Sequence, residues 1–214
     1  MQGERTPADA VSCPPAGTRI EVVESAAETD GERVRVALTM DPPADSHGPY
    51  QHVHPEQDET LEVVSGRMGV QVDGEEHVLE AGDSIDIERG VPHRYWNEGP
   101  GELRAFGEVR PGLETDALWP LLFELASERP ASKVGFPLNP FLLSVVFDRY
   151  PDHIYMAGVP VALQKWTIAL VANLGYLLGY SLTGDGSVGS TYERICPVRF
   201  GLTMWERLIP TEHA

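Results

Sequence analysis

The sequence predicts an antiparallel β-sandwich or barrel in the first half of the chain, followed by a mostly helical region. Short segments rich in branched residues, such as residues 34–38 and 68–72, are typical of strands. The Asp73-Gly74 pair lies between two such segments and predicts a β-hairpin, because both turn residues tolerate positive φ. Many short strands separated by turn signals at regular spacing are typical of an antiparallel sandwich or barrel.

Beyond Pro111 the pattern becomes helical. A proline inside a helix removes a hydrogen bond, whereas Asn-Pro is typical of a helix start. The predicted helices are residues 113–129 with a break or restart at Pro120, a helix that begins at Asn139-Pro140 and runs to about Arg149, and a helix from Pro160 to about Tyr180. We therefore predict three parts: a flexible N-terminal segment (1–18), a β-barrel (19–110) and a mostly helical C-terminal extension (111–214).

The composition argues for a folded, acidic, intracellular protein. Hydrophobic residues make up 42% of the chain, which is enough for a buried core. The net charge of −17 repels phosphate backbones, so we expect no nucleic-acid partner. Cys13 and Cys196 suggest no disulfide framework, and the first residues lack the pattern of a secretory signal. We predict a cytoplasmic location.

A first group of potential metal ligands lies in residues 48–66. His52 and His54 are two residues apart, so on a strand both side chains project from the same face. Pro55 ends that strand, and the next strand begins near Glu59. Glu59 shares a face with the apolar residues of that strand whereas Glu62 does not, which selects Glu59 as the inward carboxylate.

A second group lies in residues 82–97. Ile85 and Ile87 alternate with Asp86 and Glu88, as in a half-buried strand. The turn at residues 90–92 then places His93 at the start of the following strand.

These two stretches resemble the paired motifs of the cupin superfamily. The first motif of the family has two histidines separated by one residue, a glutamate five positions later and a glycine seven positions after the glutamate. The second motif has two glycines, a histidine and an asparagine at fixed spacing. The matching residues are His52, His54, Glu59 and Gly66 in the first motif, and Gly82, Gly90, His93 and Asn97 in the second. Two departures are Glu88, where the family usually has proline, and Gly48, which lies closer to His52 than the family's leading glycine.

The resemblance implies a cupin-type antiparallel β-barrel, also called a double-stranded β-helix or jelly roll, with one divalent metal ion held inside by His52, His54, Glu59 and His93. Three imidazoles and a carboxylate suit iron, manganese, nickel, cobalt or zinc. On an octahedral ion, two positions then stay open for water, dioxygen or substrate. Because the ligands bind unprotonated, we expect metal affinity to fall as histidines protonate near a pKa of about 6.5. A homodimer is also implied.

Several functions fit this resemblance. We favour a metal-dependent enzyme that acts on a small organic molecule, either dioxygenase-like or an isomerase or lyase, with the ion as Lewis acid. Glu59 is the candidate catalytic base, and Glu88 is a further candidate helper. The alternatives are a non-catalytic sensor or carrier of a small ligand, and a membrane-associated accessory protein.

The membrane alternative depends on residues 166–182, which are almost entirely apolar. This stretch of 17 residues is shorter than the ~20 that a spanning helix needs. Gly175 and Gly179 form a GxxxG pattern, which also allows close helix packing in water-soluble proteins. We favour a buried helix, packed on the barrel or across a dimer, over membrane association; a lid over the barrel mouth is a third interpretation.

Overall fold

The computed structural model describes residues 10–13, 17–42, 48–127, 140–178, 180 and 182, and the strands and helices below belong to these residues. The strands are β1 (Ala10–Cys13), β2 (Thr18–Glu24), β3 (Val34–Met40), β4 (His52–Val53), β5 (Asp58–Ser65), β6 (Arg67–Val72), β7 (Glu75–Glu80), β8 (Ser84–Ile87), β9 (His93–Asn97), β10 (Leu103–Arg110) and β11 (Tyr155–Met156). The α-helices are α1 (Thr115–Ser127), α2 (Pro140–Arg149) and α3 (Val161–Leu177).

Two antiparallel sheets form the β-structure. One has the strand order β1-β2-β3-β10-β5-β8, and the other has the order β11-β4-β9-β6-β7. The chain crosses repeatedly between the sheets, which gives the jelly-roll architecture that the sequence predicts. The mainly β fold with C-terminal helices is therefore confirmed.

The core lies between the two sheets because strand residues alternate between buried and outward positions. In β3 and β10 every second residue is buried. Leu61, Met68 and Leu103 are among the largest fully buried side chains and pack in one apolar cluster. Burying each such side chain stabilises the fold by about 1.5–3 kcal/mol.

The predicted hairpin at Asp73-Gly74 joins β6 to β7. Both turn residues have positive φ, 49° for Asp73 and 86° for Gly74. Val72 and Glu75 face each other directly across the turn. The local twist of a two-residue turn with positive φ matches the twist of the strands, which explains the register.

The helices differ from the prediction in one respect. Pro120 lies inside α1, which continues unbroken, so the predicted break is wrong. Pro120 costs α1 one backbone hydrogen bond, but Leu118 and Leu121 are buried in the helical cluster on either side of it. Trp119 packs against both that cluster and the barrel core. Tertiary packing thus sustains the helix.

Helices α2 and α3 pack together, and α3 also contacts β11. Gly175 makes close packing possible, since a Cβ there would lie 3.2 Å from Val145 Cγ2 and 3.3 Å from the Phe141 carbonyl oxygen. The opposite face of α3 is open to solvent and presents large apolar side chains: Leu163, Trp166, Leu170, Leu174 and Leu177. The described residues therefore cover only one side of the predicted buried helix. Among the described residues, no helix combines the length and apolar character needed to cross a bilayer.

The regions that flank the barrel motifs also contribute strands. β11, in the C-terminal extension, pairs with β4 through Tyr155 opposite Val53 and Met156 opposite His52. β1 pairs with β2 and lies within residues 1–18, for which the sequence predicts a flexible segment. The extension therefore reaches the strand that carries the first histidine of the motif.

Candidate metal centre

The four predicted ligands come from three strands that meet inside the barrel. His52 lies on β4 and His54 just after it, Glu59 lies on β5, and His93 begins β9. His52 is directly opposite His93 in the register of β4 and β9. All four side chains are buried, with exposed fractions between 1% and 6%.

The ligand atoms of these residues converge. One nitrogen from each imidazole and one carboxylate oxygen lie within 4.8 Å of one another. Glu59 Oε2 is 2.8 Å from His93 Nε2 and 3.7 Å from His54 Nε2. The ring centroids of His52 and His93 are 4.2 Å apart. The chain thus has a buried group able to bind a metal ion.

Three atoms of this group have an unmet bonding capacity. His54 Nε2, Glu59 Oε2 and His93 Nε2 are buried, and apart from their contacts with one another they have no hydrogen-bond partner within the described residues. Burying a polar atom without a partner costs about 1–3 kcal/mol, so folded proteins rarely cluster such atoms. A divalent cation would satisfy all three lone pairs, and the nitrogen and oxygen donor set suits the metals expected from the sequence. The residues therefore fit the implied ion.

The opposite ring nitrogen of each histidine contacts a backbone carbonyl. His52 Nδ1 lies 2.8 Å from the Tyr50 oxygen, and His93 Nδ1 lies 2.9 Å from the Val91 oxygen. His54 Nδ1 lies 2.5 Å from the carbonyl oxygen of His153. Each contact is a hydrogen bond when Nδ1 carries the proton, which leaves Nε2 unprotonated and available as a ligand.

The electrostatics of the group favour the unprotonated form of His52, His54 and Glu59, but not that of His93. Burial, followed by repulsion from His93 and His54, lowers the pKa of His52 to about 3. Burial also lowers the pKa of His54. Burial alone would raise the pKa of Glu59, but the contact with His93 and the charges of the other imidazoles lower it to about 2. For His93, burial opposes protonation, but the adjacent Glu59 carboxylate outweighs it and raises the pKa.

The other acidic residues near the motifs lie outside the group. Glu56, Glu62 and Glu88 are all exposed. Glu62 pairs with Arg35 at 2.7 Å on the outer surface of the sheet. The structure therefore does not bring Glu88, the candidate helper, into contact with the four ligands.

Two residues that are not ligands, Asn97 in the second motif and Gly48 ahead of the first, shape the loops around the group. Asn97 is buried, and its amide nitrogen donates to the carbonyls of Asp41 at 2.9 Å and Gly101 at 2.8 Å, which ties two loops to the end of β9. Gly48 has a φ of 61°, and a Cβ there would lie 1.8 Å from the Tyr95 carbonyl oxygen. Only glycine fits this close approach to β9.

Aromatic residues near the motifs divide between the two faces of β9. Tyr95 shares the inward face with His93 and packs against the barrel core, and burial raises the pKa of its phenol. Trp96 points the other way, where Arg94 lies over its ring. Tyr50 is exposed.

Two buried polar residues beside the group were missed in the sequence. Gln57 lies between His54 and Glu59, and its amide nitrogen donates to the Pro111 carbonyl at 2.8 Å and to Thr115 Oγ1 at 2.9 Å. Its spacing from Glu59 is the available signal, since positions two apart on a strand share a face.

His153 is the second missed residue. It lies outside both motifs, in the loop between α2 and β11, and it is 3% exposed. Its ring accepts a hydrogen bond from the Glu114 backbone N–H at 3.1 Å. No local sequence pattern predicts the burial of His153, because its partners lie far away in the sequence.

Comparisons with known proteins agree with this geometry. A family model described as a cupin domain matches residues 37–107, which include all four ligands. The tetracenomycin polyketide synthase protein TcmJ of Streptomyces glaucescens is 34% identical over 61 residues, 28% of this chain and 41% of that protein. Polyketide synthase CurC of Streptomyces cyaneus is 36% identical over 61 residues, 28% of this chain and 40% of that protein. The match thus spans less than half the length of either relative.

Solved structures similar to this chain include an RmlC-like cupin from Shewanella frigidimarina, with 23% identity, a TM-score of 0.43, and coverage of 54% of this chain and 95% of that one. KdgF from Halomonas sp. has 19% identity and a TM-score of 0.40, with coverage of 46% and 84%. A predicted oxalate decarboxylase from Thermotoga maritima has 18% identity and a TM-score of 0.40, with coverage of 44% and 80%. The family model and the paired motifs together show that residues 37–107, which form most of the β-barrel, are a cupin domain.

Proposed function

We propose that this chain is a metal-dependent enzyme that acts on a small organic molecule, with one divalent ion held by His52, His54, Glu59 and His93. The observation that carries the proposal is the convergence of four buried ligand atoms within 4.8 Å, three of which have no other partner among the described residues. A purely structural cluster would satisfy such atoms with hydrogen bonds. The identity of the ion is open among iron, manganese, nickel, cobalt and zinc.

The reaction class we favour is dioxygenase-like oxidation or an isomerase or lyase reaction of an enolic substrate. A bound divalent ion supplies Lewis acidity and, when redox-active, electrons for oxygen chemistry. Burial holds His52 and His54 neutral. The carbonyl contact at Nδ1 of each histidine directs its Nε2 atom inward. Two relatives are named as polyketide synthase proteins, so enolisable polyketides belong in the substrate panel.

Glu59 is the proposed catalytic base. Its lowered pKa keeps the carboxylate ionised at neutral pH. As a base, Glu59 would leave the ion, and its oxygen would then accept a proton from the substrate's enol or activated C–H group. Its burial excludes water, which strengthens electrostatic interactions with a bound substrate. The flanking histidines His54 and His93 hold this oxygen at the centre of the group.

The first test is the metal content of the full chain purified without added metal. We expect close to one divalent ion per chain by elemental analysis, and a loss of at least 100-fold in affinity for the same ion in His54→Ala. His77→Ala is the matched control, since His77 is an exposed histidine on β7 and should leave metal content unchanged. Metal content near zero in the wild type, even after incubation with each of the five ions, would remove the proposal.

The second test separates enzyme from non-catalytic binding protein. Oxygen uptake and product formation are followed with a panel of enolic substrates, using the metal-loaded wild type and Glu59→Gln. An enzyme should turn over at least one substrate in the wild type, and Glu59→Gln should lose turnover even at metal concentrations that fill its site. Binding without turnover would instead favour a sensor or carrier. Light scattering on the same samples measures whether the chain is the homodimer that we predict.

A further inference from the structure

The three histidines differ in where their carbonyl partners originate. The partners of His52 and His93 lie two residues earlier in the chain, so each hydrogen bond is local. The partner of His54 is the carbonyl of His153, 99 residues away in the C-terminal extension. One ligand of the barrel site is thus oriented from outside the barrel motifs.

The loop that presents this carbonyl is anchored on both sides. Before α1, the Glu114 N–H donates to Nε2 of the His153 ring. The His153 ring also packs edge-on against Tyr150, with centroids 5.5 Å apart. Two residues later the chain joins β4 as β11, and Ala157 N donates to the Gln51 carbonyl at 3.0 Å. The position of the carbonyl therefore depends on the side chain of His153 and on β-pairing.

The tautomer of His54 decides whether it can bind an ion through Nε2. A neutral imidazole carries one proton, and a carbonyl at Nδ1 accepts only when the proton is on that nitrogen. Without this acceptor, Nε2 of His54 can carry the proton instead. A protonated Nε2 has no lone pair to offer an ion, so His54 would be lost as a ligand.

We infer that His153 is a positioning residue for the metal centre: its ring fixes the 150–156 loop so that its backbone carbonyl holds His54 in the tautomer that exposes Nε2. The inference rests on the proposed metal-binding function and assigns a role in it to the C-terminal extension. Partners outside the ligand shell commonly contribute 10–100-fold to metal affinity. The extension is then part of the site, although the family model that matches the barrel ends at residue 107.

The test starts with the metal-free, full-length wild type. Long-range ¹⁵N–¹H spectra at pH 7.5 report which ring nitrogen of each histidine is protonated, and we expect His54 to be protonated at Nδ1. His153→Ala should show a mixed or reversed tautomer at His54 and bind Zn²⁺ about 10–100-fold more weakly in competition with a chelator. His153→Gln keeps an acceptor for the Glu114 N–H and should recover most of the affinity. His77→Ala is the matched control and should match the wild type in both measurements.

Each outcome decides the inference. A wild-type His54 protonated at Nε2, or a His153→Ala protein with unchanged tautomer and unchanged Zn²⁺ affinity, would overturn it. If His153→Ala fails to fold, the wild-type spectrum and His153→Gln decide: wild-type tautomer and near wild-type affinity in the glutamine variant support the inference, and a reversed tautomer contradicts it. A wild type that shows the expected tautomer but binds no ion would refute the proposed function while leaving the positioning of His54 intact.

Discussion

The interior of the barrel has two regions with opposite character. In the packed region, Leu61, Met68 and Leu103 fill the space between the sheets and leave no polar atom to satisfy. The ligand region begins two residues away on the same face of β5. There Glu59 and three imidazoles are just as buried, but their lone pairs point at one another. The same strand alternation builds both regions, so burial alone does not separate stability from function. The difference lies in whether the buried atoms find partners inside the chain.

The packed region should determine most of the stability. Leu61→Ala removes a side chain that is 1% exposed, and we expect a loss of about 2–5 kcal/mol in the free energy of unfolding, measured by urea denaturation. Val64→Ala, on the same strand but with 49% exposure, is the control and should change stability by less than about 0.5 kcal/mol. Equal losses of unfolding free energy in the two variants would contradict the assignment of stability to the packed region. The metal stoichiometry of Leu61→Ala should stay that of the wild type.

The ligand region should make the metal-free protein sensitive to acid. The folded-state pKa of His52 is about 3, below its unfolded value of 6.5, so the unfolded chain takes up a proton that the folded chain excludes. Stability from this group is complete above pH 6.5 and is lost as pH falls toward 3, by about 2 kcal/mol between pH 6.5 and 5 at 1.36 kcal/mol per unit. His54 has the same sign. His93 has a raised pKa, so its contribution is complete below pH 6.5 and does not offset the loss.

Urea denaturation of the metal-free protein across this pH range measures how steeply the free energy of unfolding changes with pH. His52→Gln should reduce this slope, because glutamine does not titrate. A wild-type slope equal to that of His52→Gln would show that His52 is accessible to protons in the folded state and that the ligand region is less closed than the packed region.

The smallest effect is expected at the surface beside the ligand region. Arg89 pairs with Asp58 at 2.7 Å, next to Glu59 in sequence, but both side chains are about half exposed. Arg89→Ala should therefore change stability by less than about 1 kcal/mol and leave Zn²⁺ affinity unchanged. A large loss of Zn²⁺ affinity would mean that charges outside the barrel influence the metal site. The ligand region would then include surface residues as well as buried ones.

Local patterns in the sequence account for much of the fold. The hairpin at Asp73-Gly74 and the α2 start at Pro140 follow from residues whose backbone preferences act over a few positions. The inward face of β5 follows from its two-residue period, which also separates Glu59 from Glu62. The spacing of the histidines and Glu59, together with the family resemblance, is sufficient to predict the four ligands that the structure brings together.

What the sequence does not reveal depends on contacts between distant segments. β11 contains only two residues, too few for a periodic pattern, and its pairing with β4 appears only in three dimensions. His153 looks like an isolated polar residue until Glu114 and His54 surround it. Pro120 predicts a break that tertiary packing of its neighbours overrides, and the uncovered face of α3 cannot be recognised from an apolar run alone.

The long separation between His54 and the carbonyl that orients it has a consequence for biosynthesis. At typical translation rates of 5–20 residues per second, the 99 residues between the two take about 5–20 s to emerge. Throughout that interval the nascent chain already carries His54 but lacks its acceptor. We expect tight metal loading to follow the emergence of residue 153, so translation itself would delay the capture of an ion until the last orienting group has arrived.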